Sequence, residues 1–206
     1  MLLVASFLLA VLTVPLFGGH LTRLADAQFR RSRLLAAALG LQVVVISLVP
    51  GGPRGIWSGV HVATYGMLGW VLAGNRRLPG VPMLAVGGSL NLAAMLANGG
   101  VMPSTATALR TAGLTTDGSD FVNSGVVPDA RLTILGDIFA TPADWPLANV
   151  FSVGDVLIAL GGWWMVQALC GSRAKKGSGD SRAGQTVSNT ASVASEAQDV
   201  PDAELA

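Results

Sequence analysis

Two aspartates are the residues of this sequence best placed to do chemistry: Asp137, within Leu135-Gly136-Asp137-Ile138-Phe139, and Asp155, within Phe151-Ser152-Val153-Gly154-Asp155. Apolar neighbours surround both. Pro142 and Pro146 lie between them and fold the chain back, an arrangement expected to bring the two carboxyl groups together. Adjacent carboxylates do not both ionise easily, so one pKa rises. Such a pair supplies one acid and one base, the requirement for activating water against an amide. Three further polar residues sit in apolar surroundings: His61, Asn91 and Asn98. Asn91 and Asn98 are seven positions apart, which places both amides on one helical face. Gly87 and Gly88 precede Asn91 by a turn and leave room for a neighbouring helix, and Ala159 and Gly162 continue the face of Asp155 in small residues.

Plainer roles exist for each of these. Asp155 suits the first turn of a helix, where the macrodipole favours an anion. The two asparagines suit interhelical hydrogen bonding, and His61 suits a packed interior. Asp117, Asp120 and Asp129 read as solvated loop residues. A single cysteine, Cys170, and two histidines, His20 and His61, give no basis for a disulfide or a metal site. No glycine-rich phosphate loop and no nucleophile elbow is present, so no cofactor is expected. A formal net charge of +1 gives no basic patch for a nucleic-acid partner.

The elements that must position these residues are apolar. The chain of 206 residues is 51% hydrophobic and 12% charged, with a mean hydropathy of +0.56. Soluble domains usually carry about 25% charged residues. A bilayer core of about 30 Å is crossed by about 17 to 25 apolar helical residues. Five stretches fit: Met1 to Phe17, Leu34 to Val49, Ile56 to about Ala73, about Leu78 to Leu96, and about Val150 to Cys170. The first lacks the basic leader of a signal peptide and reads as a retained helix. The expected fold is therefore an all-α, polytopic transmembrane bundle of five spanning helices in residues 1–170.

Its basic residues orient it. Arg23, Arg30, Arg31, Arg33, Arg76, Arg77, Arg173, Lys175, Lys176 and Arg182 fall on one side of such a bundle, against Arg54, Arg110 and Arg131 on the other. The positive-inside rule then puts the N-terminus outside and the C-terminus in the cytoplasm. The outer connection, residues 97–149, is too long for an ordinary structureless loop. Within it, Leu132 to Ala140 is expected to lie at the membrane surface or dip in. Residues 171–206 are Ser, Gly, Ala and charge without an aromatic residue, and read as a disordered cytoplasmic tail.

Asn98-Gly99-Gly100-Val101-Met102-Pro103, Leu135-Gly136-Asp137 and Phe151-Ser152-Val153-Gly154-Asp155 resemble the hallmark motifs of an uncharacterised family of bacterial polytopic membrane proteins, a domain of unknown function. The resemblance covers residues 1–170. It implies a multi-pass location in the bacterial cytoplasmic membrane and no activity. The two aspartate segments are also similar in order and spacing to those of lipoprotein signal peptidase (signal peptidase II), a membrane aspartic peptidase. By that resemblance Asp137 and Asp155 form the catalytic dyad, with Asn98 near the peptidase's polar motif. The Gly-Asn-x-x-Asp-Arg motif itself is not present.

Three functional readings follow. The first is an integral membrane protein of undefined activity, partnered by the lipid bilayer, whose outer-leaflet polar cluster of His61, Asn91 and Asn98 binds a partner or stabilises the bundle. The second is a signal-peptidase-II-like aspartic peptidase acting through Asp137 and Asp155 on a membrane-anchored peptide or lipoprotein. The third is a small transporter or ion-translocating subunit. The oligomeric state is left open.

Overall fold

A computed structural model describes residues 2–44, 54–114 and 124–171 of the chain. Seven helices occur among them: α1 (Leu2–Thr13), α2 (Thr22–Ala25), α3 (Ser32–Val43), α4 (Arg54–Gly74), α5 (Val81–Ala97), α6 (Ala106–Thr111) and α7 (Val153–Leu169). Short 3-10 turns cover Pro15–Phe17 and Thr133–Leu135. Four short strands complete the set: β1 (Met102–Pro103), β2 (Ser124–Gly125), β3 (Phe139–Thr141) and β4 (Asn149–Phe151).

The expected five-span bundle is corrected here. Among the described residues no helix is long and apolar enough to cross a membrane. Helix α1 has 12 residues, about 18 Å at 1.5 Å per residue, well short of a ~30 Å core, and the described part of α3 has 12 as well. Helices α5 and α7 have 17 residues each. Helix α4 has 21, but His61, Thr64 and several glycines dilute its apolar character. The multi-pass location and the orientation of the termini lose their basis with the spans. Mean hydropathy sums apolar content over the whole chain, whereas crossing demands it without interruption in one element. Punctuation prevents that: Pro15 starts a separate 3-10 turn, Gly18 turns left-handed at φ 69°, and Gly80 does so at φ 82° before α5. The end of the second expected span, the Pro50-Gly51-Gly52-Pro53 break and the tail beyond Gly171 lie outside the described residues.

The segment 97–149 also departs from an all-helical plan. Strands β1 and β2 pair in parallel, Met102 opposite Ser124. Strands β3 and β4 pair antiparallel, with Phe139 opposite Phe151 and their rings stacked at 5.4 Å. The stretch expected to lie along a membrane surface, Leu132 to Ala140, instead forms the second 3-10 turn, a bridge between Asp137 and Ser104, and the start of β3.

Helices α5 and α7 pack most closely. A Cβ on Gly87 would meet the Gly154 carbonyl and Ile158, and one on Gly154 would meet the Asn91 amide and the Gly87 carbonyl. Two turns away, Gly80 and Gly161 oppose each other in the same way. Glycines spaced by seven on each antiparallel helix thus let the backbones touch. The expectation for Gly87 holds, whereas Gly88 and Gly162 face open space. Helix α1 docks on α7 through Ala10, Val14, Val166 and Cys170. There Gln167 Nε2 donates to the Ala10 carbonyl at 2.8 Å and to Thr13 Oγ1 at 2.9 Å, and Trp163 Nε1 donates to the same hydroxyl at 3.1 Å.

Candidate functional site

The polar residues converge where α4, α5 and the start of α7 meet. Ser152 is the N-cap of α7, and its hydroxyl accepts from the Asp155 backbone N–H at 3.0 Å. The Asp155 carboxylate reciprocates, its Oδ2 accepting from the Ser152 backbone N–H at 3.0 Å. This is a capping box, and it satisfies two amides that a helix start leaves without intrahelical partners. Asn91 joins the box from α5. Its Nδ2 donates to Asp155 Oδ1 at 2.8 Å, and its Oδ1 accepts from the Ser152 hydroxyl at 2.8 Å. Asn91 and Ser152 are buried. The amide therefore ties two helices through both of its ends, at the point where the Gly87–Gly154 contact brings them together.

Helix α4 adds His61 and Tyr65, one turn apart. His61 is buried, and its ring meets Tyr65 edge-on with centroids 5.4 Å apart. The Tyr65 hydroxyl is pushed up from 10.0 to about 12. Burial is the largest cause, followed by the negative charge of Asp155. A side-chain hydrogen bond with Asn91 pulls the other way, and the charge of Asp137 raises it further. Ala94, Met95 and Met102, with Val62, Tyr65 and Leu135 against them, form the apolar wall behind this cluster.

Asp137 lies between the second 3-10 turn and β3. It is buried, and its Oδ2 accepts from the Ser104 hydroxyl at 3.3 Å. Backbone bonds fix its position: Asp137 N–H donates to the Pro103 carbonyl at 2.8 Å, and Thr105 N–H donates to the Asp137 carbonyl at 3.1 Å. Gly136 is required beside it, since a Cβ there would overlap the Pro103 carbonyl. The charges of Asp137 and Asp155 thus act on one phenol. Their surroundings differ, because Asp155 is engaged by Asn91 and Ser152, and Asp137 by Ser104.

Asn98 does not join Asn91. Helix α5 ends at Ala97, so Asn98 has already left the helical face that the seven-residue spacing implies. Its Nδ2 donates to the Ala94 carbonyl at 2.7 Å and to the Arg131 carbonyl at 2.8 Å, while its Oδ1 accepts from Arg131 N–H at 2.9 Å. Asn75 makes the same clamp just past the end of α4. Its Nδ2 donates to the Val71 and Arg30 carbonyls, and its Oδ1 accepts from Arg30 N–H at 2.9 Å. Each asparagine closes a helix C-terminus and pins the backbone of a distant arginine. Sequence reasoning missed Asn75, Ser104, Tyr65 and Ser152. For Ser152 a signal existed, in the spacing of a serine three residues before an acid at the start of an apolar run.

A cavity of about 630 Å³ lies apart from this cluster, lined by Gln28, Arg30, Arg31, Trp70 and the turn from Ala73 to Leu78. None of His61, Tyr65, Asn91, Asp137 or Asp155 contributes to it. Among the described residues, no group of three or more His, Cys, Asp or Glu could hold a metal ion.

Residues 26–167 match a family of unknown function (DUF5317). An uncharacterised protein of Thermotoga maritima is 27% identical over 161 residues, covering 78% of this chain and 87% of its own. No solved structure matches the chain.

Proposed function

For a chain that belongs to this family of unknown function, we propose a non-catalytic role: a helical scaffold in which the Asn91–Ser152–Asp155 cluster locks α5 to α7. One observation supports this above the others. Both oxygens of the Asp155 carboxylate already accept hydrogen bonds from protein donors, one from Asn91 and one from the Ser152 backbone. Each oxygen keeps a second lone pair, but both are held in place by the helix cap and by α5, which is what a structural carboxylate requires. The lock reading makes Asn91 the costly residue to lose. Asn91→Leu strands a buried hydroxyl and one carboxylate oxygen, and should lower stability by about 3 kcal/mol. Asp155→Asn keeps an acceptor and should cost about 1 kcal/mol, the usual worth of a cap. Thermal melts measure both. An Asn91→Leu protein that melts with the wild type would remove the lock.

A second reading, an acid–base pair of Asp137 and Asp155 acting on an amide, is favoured by the effect of both charges on Tyr65. Digestion of a peptide library, read by mass spectrometry, separates the two. Cleavage that disappears in both Asp137→Asn and Asp155→Asn supports the pair, and absence of cleavage by the wild type rejects it. The transporter reading needed membrane-crossing helices, and none of the described helices is long and apolar enough to be one.

A further inference from the structure

Four of the ten basic residues used above to orient the chain line the cavity of about 630 Å³ between the segment before α3 and the turn after α4. Arg30, Arg31, Arg76 and Arg77 line it together with Gln28 and Trp70, and no carboxylate is among its lining residues. A lining with four arginines and no carboxylate favours an anion over a cation. The frame that holds them is fixed. Asn75 grips the Arg30 backbone through both its N–H and its carbonyl, at 2.9 Å each. Arg31 is left-handed at φ 63°, its guanidinium lying over the Trp70 ring at 4.4 Å and donating to the Trp70 carbonyl at 2.6 Å. Two of the cations thus leave from a backbone set by tertiary contacts, which lowers the ordering cost of binding. All four arginines are exposed, Arg76 and Arg77 coming from the turn after α4.

We infer that this cavity binds a phosphate-bearing anion of at least two negative charges. Arginine rather than lysine lines it, and the planar guanidinium fork matches phosphate oxygens in pairs. Such an anion comes from a free phosphoester or from a phospholipid headgroup, and both offer the same chemistry to the arginines. The site is independent of the helix lock, since it shares no residue with it.

Titration calorimetry of the full chain with inorganic pyrophosphate, and separately with a soluble short-chain phosphatidic acid, tests the inference. Saturable binding that weakens as salt is added is expected for at least one probe. Pyrophosphate binding marks a free phosphoester as the source, and binding of phosphatidic acid alone marks a headgroup. Arg76→Gln/Arg77→Gln should weaken binding roughly tenfold or more. Arg110→Gln/Arg131→Gln, which removes the same charge elsewhere, should leave it unchanged. Equal loss in both double variants, or no saturation by either probe, overturns the site. A measurement on the wild type guards against a variant that does not fold. The bound probe should protect Arg30, Arg76 and Arg77, but not Arg110, from phenylglyoxal, and uniform modification would overturn the site as well.

Discussion

Tyr65 is the chain's one tyrosine, so its phenol reports directly on the polar cluster around it. Burial and two carboxylate charges hold it at about 12, against 10.0 for an unperturbed phenol. The folded state therefore keeps a proton that the unfolded chain loses first. Below pH 10 the two states bind that proton equally and stability is unaffected. Between pH 10 and pH 12 stability should fall, by on the order of 2 kcal/mol. Tyrosinate absorbance of the native protein should rise with a midpoint near pH 12, and Tyr65→Phe should flatten the alkaline fall in melting temperature. A midpoint near 10.0 would mean that the phenol is not enclosed by these groups. At this scale the sequence revealed residue types and little about their partners. Asp155, Asn91 and His61 stand out because polar groups in apolar runs are conspicuous. Asn98 stands out for the same reason, yet it serves as a clamp on Arg131, because the helix ends one residue before it.

At the scale of elements, the α5–α7 pair depends on glycines that have no side chain to displace. Gly154→Ala should destabilise by about 1 to 3 kcal/mol, because its Cβ would press on the Asn91 amide and the Gly87 carbonyl. Gly88→Ala should do the reverse. Its Cβ would meet nothing within 4 Å, and alanine in a helix interior is favoured over glycine by about 0.5 to 1 kcal/mol. Denaturant melts of the two variants, run side by side, check the opposite signs. Two losses of equal size would indicate that the close approach is not where the glycines place it. Gly87 and Gly88 are indistinguishable in composition, and Gly161 and Gly162 likewise. Only the rotation of each helix about its axis decides which of the two faces its neighbour.

At the scale of the molecule, Cys170 lies where α1, the turn after it and the end of α7 meet. It is fully buried beside Ala10, Val14 and Val166, and its carbonyl accepts from His20 N–H at 3.0 Å. Burial raises its thiol above the ordinary value, opposed by the Arg23 guanidinium. Thiolate chemistry is therefore suppressed twice, by access and by protonation. Alkylation by iodoacetamide should be slow in native protein and should accelerate in step with unfolding as denaturant is added. Rapid alkylation of the native protein would mean that α1 does not stay docked on α7. Much of the apolar content lies outside such contacts, with Leu12, Leu16 and Ile134 more than two-thirds exposed. That apolar surface is spread over short elements rather than gathered, among the described residues, into crossing ones.

The sequence by itself determined the predominantly helical character and the approximate course of α4, α5 and α7. These follow from local propensity, from apolar runs and from turns, which are properties of neighbouring residues. Tertiary structure alone decided the strand pairs, the clamps made by Asn75 and Asn98, the gathering of Arg30, Arg31, Arg76 and Arg77 at one cavity, and the separation of that cavity from the Asn91–Ser152–Asp155 lock. Each of those depends on which backbone atoms approach one another across tens of residues. Composition fixes how much apolar surface a chain carries, and only the packed chain fixes which of it is covered.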